Sequence, residues 1–275
     1  MQTPPDQKTL WNGPAGNAWV EAQALLDQML QPMADVLIAD ISALRPGRVL
    51  DIGCGTGATT IAAARATGGD AVGVDISEPM LALARTRAAG ARATFVCADA
   101  QTNAFDAGSF DALMSRFGVM FFDDTAAAFA NLRRAARHGA ALRFVVWRSA
   151  EENLFLTTAE RAAASLLPDM PQRQLEGPGP GPFALADKTR TAALLKDSGW
   201  GAIEIRPLDL TCGFPAQDLE QYLTRVGPLG VYLERADDTT RRRVGEGVRA
   251  AFDPYVKGAA VRFDAACWML SAEAR

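Results

Sequence analysis

The stretch "VLDIGCGTGATT", residues 49–60, ends an apolar run on an acid, Asp51, and sets Gly53, Gly55 and Gly57 at alternate positions behind it. Glycine has no Cβ, so a bend built this way brings a ligand against bare backbone. Two more aspartates, Asp75 and Asp99, follow at equal intervals of 24 residues, each closing an apolar run, "DAVGVD" and "ATFVCAD". Carboxylates beside a glycine bend accept hydrogen bonds and attract positive charge. The phosphate-gripping GxxxxGK[ST] loop is excluded, because no lysine follows the bend. A dinucleotide loop of the GxGxxG kind stays open: the spacing is GxGxG, with Ala58 where the third glycine of that pattern falls. S-adenosylmethionine (SAM) is the other ligand that suits the bend. It has no phosphate to grip, and it carries a zwitterionic amino acid, a cationic sulfonium and a ribose. For SAM, Asp75 can accept both ribose hydroxyls and Asp99 the adenine amino group.

The elements that must position these residues are legible from the same pattern. Between residues 48 and 147, short apolar runs alternate with Ala-rich segments. "RVLDIG", "DAVGVDIS", "ATFVCADA", "FDALMSRF" and "ALRFVVW" read as five strands. "ATTIAAARAT", "EPMLALARTRAA" and "TAAAFANLRRAAR" read as helices. Ser77 and either Asp123 or Asp124 are N-caps, and Gly68-Gly69, Gly90 and Gly139 are stops. Short strand–helix–strand connections imply parallel pairing, right-handed crossovers and helices on both faces. Ligands of open α/β sheets sit outside the carboxyl ends of the strands, so the three acids share one rim.

The resemblance these motifs carry is to class I SAM-dependent methyltransferases of the type acting on small molecules, such as those of ubiquinone and menaquinone biosynthesis. "VLDIGCGTG", "GVDIS", "CADA", "FDALMSRFGVMFF" and "NLRRAARHGAALRFVVW" occur in order and cover residues 45–150. "WNGPAGNAW" and "DAACWMLSA" extend the likeness more loosely. The resemblance implies a doubly wound, Rossmann-like α/β fold: a seven-stranded, mostly parallel sheet with an antiparallel last strand, helices on both faces and a helical lid. It implies a helical cap over 1–44, a SAM-binding core over 45–150, a lid for substrate recognition over 151–200, and a C-terminal part of the sheet over 201–275 carrying a helical insertion at 215–256. It also implies that Gly53, Cys54 and Gly55 border the methionine part of SAM. Asp75 and Ile76 bracket ribose and adenine, Asp99 and Ala100 meet the adenine edge, and Met80 packs nearby. Ser115, Arg116 and Phe117 face the sulfonium and the acceptor, with Met120 beside them. Asp51 either orients the loop or touches the cofactor, Trp11 and Trp19 either belong to the core or fold over the cofactor to exclude water, and Arg116 is either a salt-bridged structural residue or an anchor for the acceptor. Arg137-His138-Gly139 stands where many relatives have Pro-Gly-Gly, on the far side of the sheet.

Outside the core, "WVEAQALLDQMLQPMADVLIADI" has apolar positions at helical spacing, with Pro32 expected to kink or split it. A helix is expected over 151–167, a Pro/Gly-rich loop over 167–183, and a helix in "ADKTRTAALLKDSGW". "AIEIRPLDLTCGF" reads as a strand pair or one bent strand, 217–235 and 237–256 as helical segments, and "AVRFDAACWMLSA" as a closing strand.

Composition narrows the class. The chain has 275 residues, 49% hydrophobic and 22% charged, with net charge −4, which argues against nucleic acid as the default partner. Arg241-Arg242-Arg243 reads as a solvated helix face. The four cysteines lack metal-ligand spacing and only one histidine exists, so no metal site is expected; free thiols fit a reducing cytoplasm. No secretory leader is visible, and no apolar run reaches the roughly 20 residues a membrane span needs. The expected partner is a small molecule, with the protein a monomer or homodimer.

Methyl transfer from SAM, giving S-adenosylhomocysteine, is an in-line displacement in which positioning can supply on the order of 7–11 kcal/mol. No catalytic base is named: His138 is expected in a helix-end loop, and Tyr222, Tyr232 or an acid from the lid could serve. Phe155, Leu156, Phe183, Leu229 and Tyr232 suggest a partly apolar, aromatic or quinone-like acceptor. Two alternatives stand beside this reading: a SAM-binding protein on the same fold that does not methylate, whether enzyme or regulator, and an NAD-dependent oxidoreductase.

Overall fold

A computed structural model describes residues 6–171, 175, 177 and 179–275. Part of the expected loop at 167–183, residues 172–174, 176 and 178, lies outside the described residues.

Three helices lead in: α1 (Gln7–Trp11), α2 (Pro14–Glu21) and α3 (Gln23–Ala43). The core follows as β1 (Arg48–Ile52), α4 (Ala58–Thr67), β2 (Asp70–Asp75), α5 (Glu78–Arg87), β3 (Ala93–Cys97), β4 (Phe110–Arg116), α6 (Thr125–Ala135) and β5 (Ala136–Trp147). Then come α7 (Leu154–Ala163), α8 (Lys188–Asp197), β6 (Trp200–Pro215), α9 (Leu219–Arg225), α10 (Gly227–Glu234), α11 (Asp238–Arg249), β7 (Val256–Lys257) and β8 (Ala260–Ala274).

The sheet runs β3-β2-β1-β4-β5-β8-β6. The first five strands pair in parallel, and β8 is antiparallel to both β5 and β6. Seven strands thus form the expected mostly parallel sheet, and the two-residue β7 adds an eighth by pairing with β8. The strands of the parallel core are apolar because both faces are covered: Val49, Leu50, Val74, Leu113, Met114, Phe144 and Val145 are fully buried.

Several elements differ from expectation. Pro32 neither splits nor ends α3, which runs on for 21 residues. An interior proline costs about 3 kcal/mol, but Leu25, Leu26, Met29, Leu30, Met33, Leu37 and Ile41 form one buried stripe against the sheet. Burying each such side chain stabilises by about 1.5–3 kcal/mol, so packing outweighs the breaker. The interruption falls earlier, at Ala22. Gly139 does not end α6: the helix stops at Ala135 and β5 already includes Arg137, His138 and Gly139. β3 ends at Cys97, so Asp99 sits in the turn beyond it. The helix expected over 151–167 is shorter, and the one expected over 217–235 is two, because Gly227 takes a left-handed φ of 76°. The last helical stretch continues as a 3-10 turn over Ala250–Tyr255. "AIEIRPLDLTCGF" belongs to one 16-residue strand, irregular between Gly201 and Glu204.

β6 and β8 pair from Trp200 and Ala274 out to Pro215 and Ala260, well past the end of β5. Their outer halves carry Phe214 and Phe263, on which a second aromatic core assembles. The Phe155 ring of α7 stacks on Phe263 at 3.9 Å and meets the edges of Phe252 and Tyr255, with Tyr222 tilted beside it. Helices α7 and α9–α11 are held there, above the carboxyl edge of the parallel strands.

Candidate functional site

Between that carboxyl edge and the outer helices lies a cavity of about 1450 Å³. Its floor is the glycine bend. Gly53 and Gly55 have φ of 65° and 54°, in the left-handed region. A Cβ on Gly53 would stand 2.5 Å from the Gly118 Cα, and one on Gly118 would stand 2.5 Å from the Ile52 carbonyl oxygen. Two backbone bends, one after β1 and one after β4, therefore touch directly. Gly118 was not singled out from the sequence; its signal is a glycine immediately after a strand whose neighbour also ends in glycine.

Side-chain hydrogen bonds freeze this arrangement. The Asp75 carboxylate, at the tip of β2, accepts from the Gly55 amide at 2.8 Å and from the Ser77 amide at 2.9 Å. Burial pushes its pKa up, and these amide donors pull the other way. The Ser115 hydroxyl donates to the Ile52 carbonyl at 2.7 Å and accepts from the Gly118 amide at 3.1 Å. Asp51 takes the hydroxyls of Thr59 and Thr60 on one oxygen, Oδ2, at 2.6 Å each. Among the described residues its other oxygen is buried without a partner. Desolvation raises the Asp51 pKa to about 6, against the two hydroxyl donors and the Arg116 charge.

Asp51 and Ser115 differ from the expected site residues: both are fully buried beneath the bend and neither reaches the cavity wall. In-plane neighbours explain this. Asp51 lies inside β1 rather than at its tip, and the Ser115 hydroxyl is consumed in joining the ends of β1 and β4. Gly53, Cys54, Gly55, Asp75, Ile76, Met80, Asp99, Ala100, Arg116, Phe117, Met120 and Trp11 all face the cavity. Asp99 folds back to accept from the Gln101 amide at 2.8 Å on one carboxylate oxygen. Burial raises the Cys54 thiol well above its ordinary value, so it is an inert filler.

The N-terminal helices close one side. Trp11 accepts the Ser77 hydroxyl on its carbonyl at 2.6 Å, and Asn12 donates to the Ile76 carbonyl and accepts from the Glu78 amide. These bonds latch α1 and α2 onto the β2–α5 turn. The Trp11 ring meets Trp19 and Phe121 edge-on. On the other side Phe117 stacks flat on Trp147 at 4.2 Å. Phe117 holds a left-handed φ of 69°, unusual for a bulky residue and of the kind that gathers at functional sites. Farther out, Leu156, Tyr222, Leu229 and Tyr232 complete an apolar wall. His138 stands at the start of β5, exposed and at the opposite end of that strand from the cavity, not in a helix-end loop. Among the described residues, no helix is long and apolar enough to cross a membrane.

The sheet order, with five parallel strands and an antiparallel β8, defines a Rossmann-like α/β fold whose glycine bend and acids lie at the carboxyl edge. Residues 49–139 match the family model described as a methyltransferase domain, and over these residues the resemblance to class I SAM-dependent methyltransferases is borne out. The chain is 45% identical over 94 residues to a demethylmenaquinone methyltransferase of Roseiflexus castenholzii, covering 34% of this chain and 40% of that one. It is 38% identical over 123 residues to the aklanonic acid methyltransferase DauC of Streptomyces sp. (strain C5), covering 42% and 56%. The chain thus spans about half the length of these curated relatives. A crystal structure of the [4+2]-cyclase SpnF superposes with a TM-score of 0.54 at 23% identity, covering 88% of this chain and 80% of that one.

Proposed function

We propose that this protein is a SAM-dependent methyltransferase acting on a small, largely apolar acceptor. The observation that carries the proposal is the touching pair of glycine bends at Gly53 and Gly118, with Asp75 beside them, on the floor of a large cavity. A cradle with no side chain at Gly53, Gly55 and Gly118, two of which have no room for a Cβ, suits a ligand that needs close backbone contact, and the acids suit its ribose and positive charge. Asp75 and Asp99 would take the ribose and the adenine, and the bends would take the amino-acid part. Bound SAM supplies an electrophilic methyl group.

The chain's own work is positioning and exclusion. Trp11, Phe121 and the Phe117–Trp147 pair keep water from the space above the bends. A planar acceptor laid along that aromatic wall is held in a fixed direction, the kind of alignment that lowers a displacement barrier. The cavity is larger than a nucleoside fills, which leaves room for a ring system of several fused or substituted rings. Similarity to menaquinone and aklanonic acid methyltransferases supports such an acceptor. The helices α1, α2, α7 and α9–α11 act as the lid, and the protein works as a monomer or homodimer in the reducing cytoplasm, where its free thiols persist.

Incubation with SAM and a panel of quinone and polyketide-like phenols and acids, followed by mass spectrometry, tests this. A methylated product in step with S-adenosylhomocysteine is expected. The shared fold with a cyclase favours one second reading, a SAM-binding enzyme that does not methylate. Turnover with SAM left intact would establish that reading instead, and binding of NAD(H) without SAM would reject both.

A further inference from the structure

The glycine bend has a back as well as a cavity side. Behind it lies a second cavity, a groove of about 360 Å³ between α3 and α4. Asp27 of α3 and Arg87, the last residue of α5, belong to its wall. Asp27 lines both cavities, and Arg87 only the groove. The ion pair these two side chains form thus belongs to the wall that the two spaces share. Gln31, Asp35 and Arg65, which also line the groove, are exposed, so solvent reaches the pair from this side.

Arg87 reaches the bend from there. Its Nη1 donates to the Thr56 carbonyl at 2.7 Å and to the Thr56 hydroxyl at 3.0 Å, while Nη2 is paired with Asp27. Thr56 stands between Gly55 and Gly57, whose φ values are 54° and 83°, and it lines the large cavity. Glycine loses more conformational freedom on folding than any other residue, so this stretch needs a hold from outside. Helix α5 is placed to supply it: a Cβ on Gly57 would stand 2.9 Å from the Ala84 Cβ, one turn before Arg87. At the far end of the pair, Asp27 also accepts from Gln23 at 2.5 Å. It projects from α3, whose stripe from Leu25 to Ile41 is buried. The guanidinium therefore ties a glycine-rich segment of the floor to a packed helix. The charges at this corner balance: Arg116 interacts with Asp27, Asp51 and Arg87, which makes two cations and two acids and leaves none over to attract an anion.

We infer that Arg87 is a positioning residue: it holds the Thr56 peptide from behind, so that the bend has its ligand-binding shape before a ligand arrives. The inference rests on the proposed SAM reading for the ligand, and Arg87 itself touches no part of the large cavity. Preorganisation raises affinity by removing an ordering cost that binding would otherwise meet. The groove adds a property that a fully buried brace would lack. With the side chain shortened, its place stays open to solvent from behind, and a free guanidinium ion can refill it.

Hydrogen–deuterium exchange and calorimetry on the full chain test this. In unliganded Arg87→Ala, peptides covering residues 53–57 should exchange at least tenfold faster than in the unaltered protein, with β4 exchanging as before. S-adenosylhomocysteine should bind that variant at least tenfold more weakly, charge-assisted bonds being the stronger kind. Millimolar methylguanidine should reverse both changes, whereas methylammonium, a point charge without the planar fork, should not. Arg87→Lys keeps the charge beside Asp27 but cannot span both Thr56 oxygens, so it should fall between. In a folded Arg87→Ala, unchanged exchange at 53–57 overturns the inference. So does a change that the two rescue ions reverse equally, or that neither reverses. Should Arg87→Ala not fold, Arg87→Lys decides: exchange and affinity equal to those of the unaltered protein overturn the inference. The exchange measurement needs no ligand. An unaltered protein that binds no S-adenosylhomocysteine therefore rejects the SAM reading, while faster exchange in the variant, restored by methylguanidine, still upholds Arg87 as the brace of the bend.

Discussion

At the scale of single residues, Asp75 and Asp51 show how two acids of one motif series acquire different work. Asp75 sits at the tip of its strand and reaches the cavity while bracing Gly55. Asp75→Ala should therefore weaken S-adenosylhomocysteine at least tenfold by calorimetry, since each hydrogen bond to a charged group is worth about 1.5–3 kcal/mol. Asp51 is held inside its strand, and burial lifts its pKa to about 6 from 3.8. A carboxyl that holds its proton more tightly when folded favours the fold at low pH. That contribution is complete below about pH 4 and is lost as pH rises through about 6. Relative to Asp51→Asn, the unliganded protein should lose about 1 kcal/mol of stability between pH 5 and pH 8, measured by urea unfolding of both. The sequence displayed the spacing of these acids and the glycines between them. It did not display that Asp51 points into threonines eight and nine residues on, because face and depth within a strand depend on which helix covers it.

At the scale of elements, the parallel core was legible because its strands are apolar runs and two of its helices, α5 and α6, begin at capping residues, Ser77 and Asp124, each of which accepts from an amide three residues on. Pro32 misled for a physical reason. Local propensity signals a break, and only the packed stripe from Leu25 to Ile41 reveals that tertiary burial prevails. The outer arms of β6 and β8 were likewise hidden, since alternating half-exposed positions such as those of 203–211 do not announce their partner. Those arms support the second aromatic core through Phe155, only 2% exposed. Phe155→Ala should cost about 3–5 kcal/mol in equilibrium unfolding, and ligand affinity should fall with it, because α7 and α9–α11 lose their common anchor.

At the scale of the whole molecule, the cavity is walled by segments distant in sequence. Gln221 of α9 donates to the Glu21 carbonyl of α2 at 3.1 Å, and Arg225 faces the Glu21 carboxylate at 3.4 Å. These contacts are exposed and weak, whereas the sheet beneath is fully packed. Opening should thus proceed by the outer helices leaving a rigid floor. In hydrogen–deuterium exchange, S-adenosylhomocysteine should slow α1, α2 and α9–α11 severalfold and leave β1, β4 and β5 as they were. The aromatic lining has a practical corollary as well. Of the five tryptophans, Trp11, Trp19 and Trp147 border the cavity, while Trp200 is buried against the Phe129 carbonyl and Trp268 bonds Ala186. The protein's native ultraviolet emission is therefore weighted toward the very surface on which an acceptor would lie, so label-free quenching can rank candidate compounds before any chemistry is assayed.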